Sequence, residues 1–267
     1  MQHAVRCLIG ILTREGLRFL HQRARFLSAL VRPLVWLLIF AAGFGTQYGI
    51  SIIPPYQTYI PYNVYIVPGL AAMIQLFNGM QSSLSMVYDR EMGSMRVLLV
   101  SPLPRWFLLF CKLLAGTWVS IIQVYAFFAI AWLFGIELPV MGYVYVLPAL
   151  VLSGMTLGAV GMLLSSVIKQ LENFAGVMNF VIFPMFFLSP ALYPLWKMQE
   201  TNDILYRAAQ INPFSHAVTM LRFALYEQFD LTSGIVLVGV FAVVSGLSII
   251  AYDPARGMTA RKGGPGS

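Results

Sequence analysis

The chain of 267 residues is 59% hydrophobic and only 10% charged, with a mean hydropathy of +0.77. Soluble domains carry about 25% charged residues, and ten acids with seventeen Lys and Arg cannot form the polar shell that so apolar a chain needs in water. These figures exclude a soluble domain and make the bilayer span, about 20 apolar residues per helix, the natural unit. The net charge of +7 does not point to nucleic acid, because the basic residues sit in a few short segments between long uncharged runs. No zinc-ligand spacing or aromatic RNA-binding motif accompanies them. Cys7 and Cys111 make no disulfide framework, both fall beside basic segments, and free thiols are expected.

Arg6, Arg14, Arg18, Arg23 and Arg25 precede the first long apolar stretch without a small-residue cleavage site, so no cleavable signal peptide is expected. Up to residue 32 the spacing predicts one amphipathic interfacial helix. Arg14, Arg18, His21, Arg25 and Arg32 share a narrow arc, and Leu12, Phe19, Leu27 and Leu30 lie opposite. Such a helix anchors to anionic headgroups, and its basic face also suits a cytoplasmic partner.

From Pro33 to Tyr88 there is no Asp, Glu, Lys or Arg in 56 residues, too long for one span and right for two with a connector. The connector lies between Gln47 and Asn63, where Pro54, Pro55 and Pro61 with Tyr48, Tyr56, Tyr59 and Tyr62 predict a loop with an interfacial aromatic belt. Six spans are expected, at about 33–50, 65–87, 106–134, 143–168, 173–188 and 231–252. With both termini inside, fourteen of the seventeen Lys and Arg fall on the cytoplasmic side, and only Lys197, Arg207 and Arg222 fall outside. The fold class is therefore all-α: a polytopic membrane protein with one domain over 1–258, divided into an interfacial helix at 1–32 and a six-span bundle at 33–252. Residues 259–267 read as a disordered tail.

Residues 189–230 do not fit a simple loop. Pro190, Tyr193 and Pro194 break a span, and Asn212 and Pro213 open an apolar stretch too short to cross, which ends near Arg222. This predicts a re-entrant element beside a pathway or interface, against the plainer reading of an outer loop with a helix lying on the membrane. In the second span Gln75, Asn78, Ser82 and Ser85 share an arc. Each is costly against lipid, so they are expected to face protein, either as interhelical hydrogen-bonding groups or as lining of a pathway. Gly154, Gly158 and Gly161 make a small-residue face suited to close helix packing.

No catalytic or metal site is expected. His3, His21 and His216 have no partners at metal-ligand spacing, and His216 reads as an ordinary hydrogen-bonded or interfacial histidine with a pH-sensitive role as the sharper alternative. The spans offer no convergent polar set for an intramembrane enzyme. They hold no Asp, Glu, Lys or Arg near a centre, which weighs against ion-coupled transport.

Between the second and third spans lies the most informative segment, where Asp89, Arg90, Glu91, Met92, Gly93, Ser94 and Arg96 lead into Leu98 and Leu99 and then Pro102, Pro104 and Arg105. The acids favour a helix N-terminus and the prolines end it, giving a short amphipathic helix held between two spans. The plainer reading is a solvated connector.

Glu91, Gly93, Ser94, Leu98, Leu99, Ser101, Pro102, Arg105 and Lys112 resemble, in order and spacing, the segment after the second span in permeases of the type-2 ABC exporter family. A second match, Ser189 to Pro194 followed by Ile211 to Phe214 and then Leu221 and Arg222, resembles that family's element before its last span. One departure is Pro190, where the family often has a small residue such as Gly.

The resemblance implies a half-transporter permease. It pairs with a second copy, most simply as a homodimer, and with cytoplasmic ATP-binding-cassette ATPase subunits. The segment from Tyr88 to Val100 is then the coupling helix, placed in the bacterial cytoplasmic membrane with both termini cytoplasmic. No Gly-x-x-x-x-Gly-Lys-Ser/Thr loop occurs, so this chain is not expected to be an enzyme. ATP and Mg belong to the partner, and no cofactor is expected here. The expected cargo is an amphipathic or lipid-linked substrate. The rival from another class is a membrane scaffold or channel without ATP coupling.

Overall fold

A computed structural model describes residues 2–21, 23–44, 49–50, 53–91, 104–168 and 170–251. These form ten helices and a two-residue hairpin pair: α1 (Gln2–His21), α2 (Arg23–Phe44), β1 (Gly49–Ile50), β2 (Ile60–Pro61), α3 (Tyr62–Glu91), α4 (Arg105–Leu133), α5 (Gly142–Val167), α6 (Leu171–Phe187), α7 (Leu195–Thr201), α8 (Asp203–Ile211), α9 (Pro213–Leu225) and α10 (Leu231–Ala251).

α3 is the hub. It packs most extensively on α5, and also on α4, α2, α9 and α6, while α10 lies against α5 and α9. Its buried residues run almost without interruption from Tyr65 through Met80, as expected of a helix covered on most sides. On the far side of the core, Trp36 of α2 meets Phe186 and Phe187 of α6 edge-on or tilted, at 5.7 and 6.0 Å between ring centroids. The α4–α5 connection closes on Gly135, whose positive φ of 79° allows Gly135 N–H to donate to Trp132 O and Ile136 N–H to Ala131 O. A residue with Cβ is strained in that left-handed conformation.

Five of the six predicted spans coincide with a helix to within about four residues at either end, because long uncharged runs bounded by charges or prolines leave little freedom. The first, expected from residue 33, falls within α2, whose helix already begins at Arg23 and so carries Arg25 and Arg32; Gln22, between α1 and α2, lies outside the described residues. Nothing between Arg23 and Arg32 breaks a helix, and Pro33 sits inside α2 rather than at its start. By length and composition, three helices among the described residues can cross a membrane: Trp106–Leu133, Gly142–Val167 and Leu231–Ala251. Shorter apolar stretches occupy Leu30–Phe40 of α2 and Gly176–Phe187 of α6. At 30 residues α3 is long enough, but Gln75, Asn78, Gln81, Ser82, Ser83 and Ser85 dilute its apolar character.

The predicted loop with an aromatic belt is also revised. β1 pairs antiparallel with β2, Gly49 opposite Pro61 and Ile50 opposite Ile60. Tyr59 is exposed, but Tyr56 and Tyr62 are buried, because their rings fill the space between this hairpin, α3 and α9.

Candidate functional site

Two polar constellations interrupt the apolar interior. The first is a seam between α3, α4 and α5. Gln75 Nε2 donates to Leu150 O at 2.7 Å, and the Ser153 hydroxyl donates to Gln75 Oε1 at 2.5 Å. Asn78 donates to the Gln123 side chain. Gln75 is 1% exposed, so its amide is wholly committed to partners inside the protein. Ser82 and Ser85 are half-buried, and the Ser85 hydroxyl donates back to Ser82 O at 2.6 Å. Of the four residues expected to share a role, Gln75 and Asn78 therefore bond across helices, and the Ser85 bond stays within its own.

The seam closes tightly because glycines face each other across it. A Cβ on Gly79 would lie 2.9 Å from Gly158 Cα, and one on Gly161 would lie 3.0 Å from Gly79 O, so the backbones of α3 and α5 touch. Lys112, from the first family-like segment, borders the same crevice beside Ser82 and Gly116.

The second constellation gathers the predicted re-entrant residues. α6 ends at Phe187, and the chain turns through Ser189 to Pro194 before α7. The turn lies over Gly69 of α3, where a Cβ would come within 2.4 Å of Ala191 O. Its carbonyls are held from three directions. Arg222 Nη2 donates to Pro190 O at 2.6 Å, Tyr65 OH donates to the same oxygen at 3.2 Å, and Tyr62 OH donates to Leu192 O at 2.6 Å. Tyr193 OH donates to Phe187 O, and Pro194 precedes the first turn of α7.

Asn212 and Pro213 act as a helix start. The Asn212 side chain accepts from Phe214 N–H and Pro213 takes the first turn of α9, where its missing N–H costs nothing. Asn212 Nδ2 also donates to Met185 O and Leu188 O, both at 2.7 Å, filling carbonyls that the end of α6 leaves open. One residue thus starts α9 and closes α6. Pro190, the departure from the family pattern, contributes only its carbonyl, which any residue has; the need for a small residue falls instead on Gly69. The Tyr56 hydroxyl lies outside the membrane-spanning helices, and its pKa is pushed far up by burial.

Among the described residues, no group of three or more His, Cys, Asp or Glu is placed to hold a metal. His216 Nε2 lies 2.8 Å from Gln210 O and Nδ1 3.4 Å from Ser233 Oγ. Asp89, Arg90 and Glu91 stand on the last turn of α3, so the helix of the second span runs into the segment predicted to begin a separate helix. Met92, Gly93, Ser94, Arg96, Leu98 and Leu99 lie outside the described residues. Arg14 and Arg18 lie on α1, which packs along α4; Arg14 is exposed. The sequence reading missed Tyr65, Gly69 and Gln123. The available signal was a tyrosine and a glycine one turn apart on a span, which announces a close contact without naming its partner.

Long apolar helices around a hydrogen-bonded polar seam define a helical membrane protein. Residues 7–226 match the family model described as ABC-2 type transporter, and the chain belongs to that family of membrane permeases. It is 26% identical over 224 residues to ycf38 of Porphyra purpurea, named as a transport permease, covering 83% of this chain and 74% of the relative. The ycf38 protein of Cyanophora paradoxa is also 26% identical, over 84% of this chain and 76% of its own length. YbhR of Escherichia coli K12, named as a multidrug ABC transporter permease, is 31% identical over 60% of this chain and 43% of its own length.

Proposed function

We propose that this chain is the permease subunit of an ATP-driven exporter in the bacterial cytoplasmic membrane, with six spans and both ends cytoplasmic. It works with a second copy of itself and with cytoplasmic ATPase subunits that bind ATP and Mg. The observation that carries this reading is the family match over residues 7–226. The two polar constellations support it, because a transporter must hold its helices by specific contacts at some places and leave them free at others. Residues 88–100 are the coupling segment, moved when the ATPase subunits close on ATP. Arg14, Arg18 and Arg25 hold the N-terminal region to anionic lipid. The turn at Pro190, with Asn212, Pro213 and Arg222, forms the re-entrant element at the outer end.

The cargo is amphipathic or lipid-linked. Among the described residues the interior is lined by apolar side chains and uncharged polar groups, apart from Arg222. Such walls suit an apolar cargo better than a small hydrophilic solute, and YbhR's name points the same way.

The test is to isolate the chain from its native membrane, identify the ATPase bound to it, and measure hydrolysis in the reconstituted complex. Glu91→Ala or Gly93→Pro is expected to cut cargo-stimulated hydrolysis about tenfold or more while the protein still inserts. Unchanged stimulation in both variants removes the coupling role from this segment. Stimulation by small hydrophilic solutes alone removes the cargo assignment.

A further inference from the structure

Arg222 is the one charged side chain among the described residues that is buried, with 6% of its surface exposed. A guanidinium in such a place is costly unless a counter-charge or a full set of acceptors replaces water. No counter-charge is present among the described residues, and the oxygens around the guanidinium, the Pro190 carbonyl and the hydroxyls of Tyr65 and Tyr56, are all neutral. Its ionisable neighbours are the phenols of Tyr65 and Tyr56, with no carboxylate. Nη2 donates to Pro190 O, and the guanidinium carbon sits 4.1 Å from the centre of the Tyr65 ring. Nε is buried with no acceptor. The Tyr56 hydroxyl is buried beside the guanidinium and within its reach, while its ring meets Tyr226 edge-on at 4.8 Å.

An arginine that only braces a turn is expected to have its donors met, because each unmet buried donor is a penalty. Here Nε has no acceptor in line with it, the Tyr56 hydroxyl has only the guanidinium beside it, and the positive charge has no counter-ion. A bridging water serves the donors and leaves the charge unbalanced. An oxyanion answers both, and its bonds to a guanidinium are among the strongest available to a side chain. We infer that Arg222 and Tyr56 form an oxyanion subsite for the phosphate or carboxylate of an amphipathic cargo, with the rings of Tyr65 and Tyr226 beside its apolar part.

The inference rests on the exporter reading for its cargo and on the geometry alone for its chemistry. An arriving anion competes with the Pro190 carbonyl for the guanidinium, so occupancy loosens the turn from α9.

The experiment uses the full chain with its ATPase in lipid nanodiscs, and compares the concentrations of dodecyl phosphate and of uncharged dodecyl glucoside that half-stimulate hydrolysis. Arg222→Gln is expected to raise the dodecyl phosphate value about tenfold or more and to leave the glucoside value within about twofold. Tyr56→Phe keeps the ring and should raise the phosphate value alone, by about threefold. Should Arg222→Gln fail to fold, Tyr56→Phe carries the comparison, and Arg222→Lys, which keeps the charge, should keep the preference for dodecyl phosphate.

Competition by inorganic phosphate supports the oxyanion site and makes the free ion its ligand. Equal shifts for both amphiphiles, or no preference for the anionic one in the unaltered protein, overturn the inference, since a residue that only holds the turn affects both alike. If no ATPase binds the chain, the exporter reading falls separately. The site is then tested on the purified chain by whether dodecyl phosphate raises its unfolding temperature and Arg222→Gln removes that rise.

Discussion

α5 and α10 are both long and apolar enough to cross a membrane, yet they are opposites. Across its most apolar stretch α5 is 67% buried, whereas α10, the more apolar of the two, is 17% buried. In a soluble protein the most apolar helix is the innermost. Here apolarity marks the helix that lies at the margin of the bundle, and the central helix is recognised by glycines and hydrogen-bonding side chains instead. α5 meets α3 through Gly158 and Ser153, and α10 is tied to it by the Thr156 hydroxyl, 3.3 Å from Leu237 O.

The largest test of this contrast exchanges small for large on each helix. Gly79→Leu drives a side chain into the Gly158 backbone, which cannot swing aside, and is expected to cost about 3 kcal/mol. Gly239→Leu on α10 meets nothing within 4 Å and should change stability by less than about 0.5 kcal/mol. Thermal unfolding of the purified protein reads both, and similar losses would break the contrast. A middle-sized effect is expected from Gln75→Leu, which removes both interhelical bonds of the seam while the Ser153 hydroxyl falls back on Ala149 O, and should cost about 1 kcal/mol. A double-mutant cycle with Ser153→Ala isolates the pair, and additivity within about 0.3 kcal/mol refutes their coupling. The smallest is Ile250→Ala, on the 83% exposed flank of α10, which should shift unfolding by less than about 0.5 kcal/mol.

The difference between the two helices also explains what could be read from the chain. α10 was legible to its ends, because a run from Leu231 without charge or proline has one reading. α5 was legible as a span, and its glycine face announced close packing, but the partner Gly79 was not, since one sequence does not say which small residues meet. The bonds of Tyr62 to Leu192 and Tyr65 to Pro190 join residues 130 and 125 positions apart, so local pattern assigned Tyr62 to a membrane belt and overlooked Tyr65. Asn212–Pro213 fared better, because a cap followed by proline is a local device that starts a helix wherever it lies.

The approach of α9 to α5 carries a mechanical consequence. A Cβ on Gly142 would stand 2.0 Å from the Leu225 carbonyl, so the last turn of α9 rests directly on the first residue of α5. Two elements abutting backbone to backbone cannot slide past each other; they rotate as one lever or come apart. Whatever displacement passes along α5 therefore reaches the end of α9 without slack, over a distance set by rigid peptide units, and only the last step, from Arg222 to the Pro190 turn, runs through a side chain.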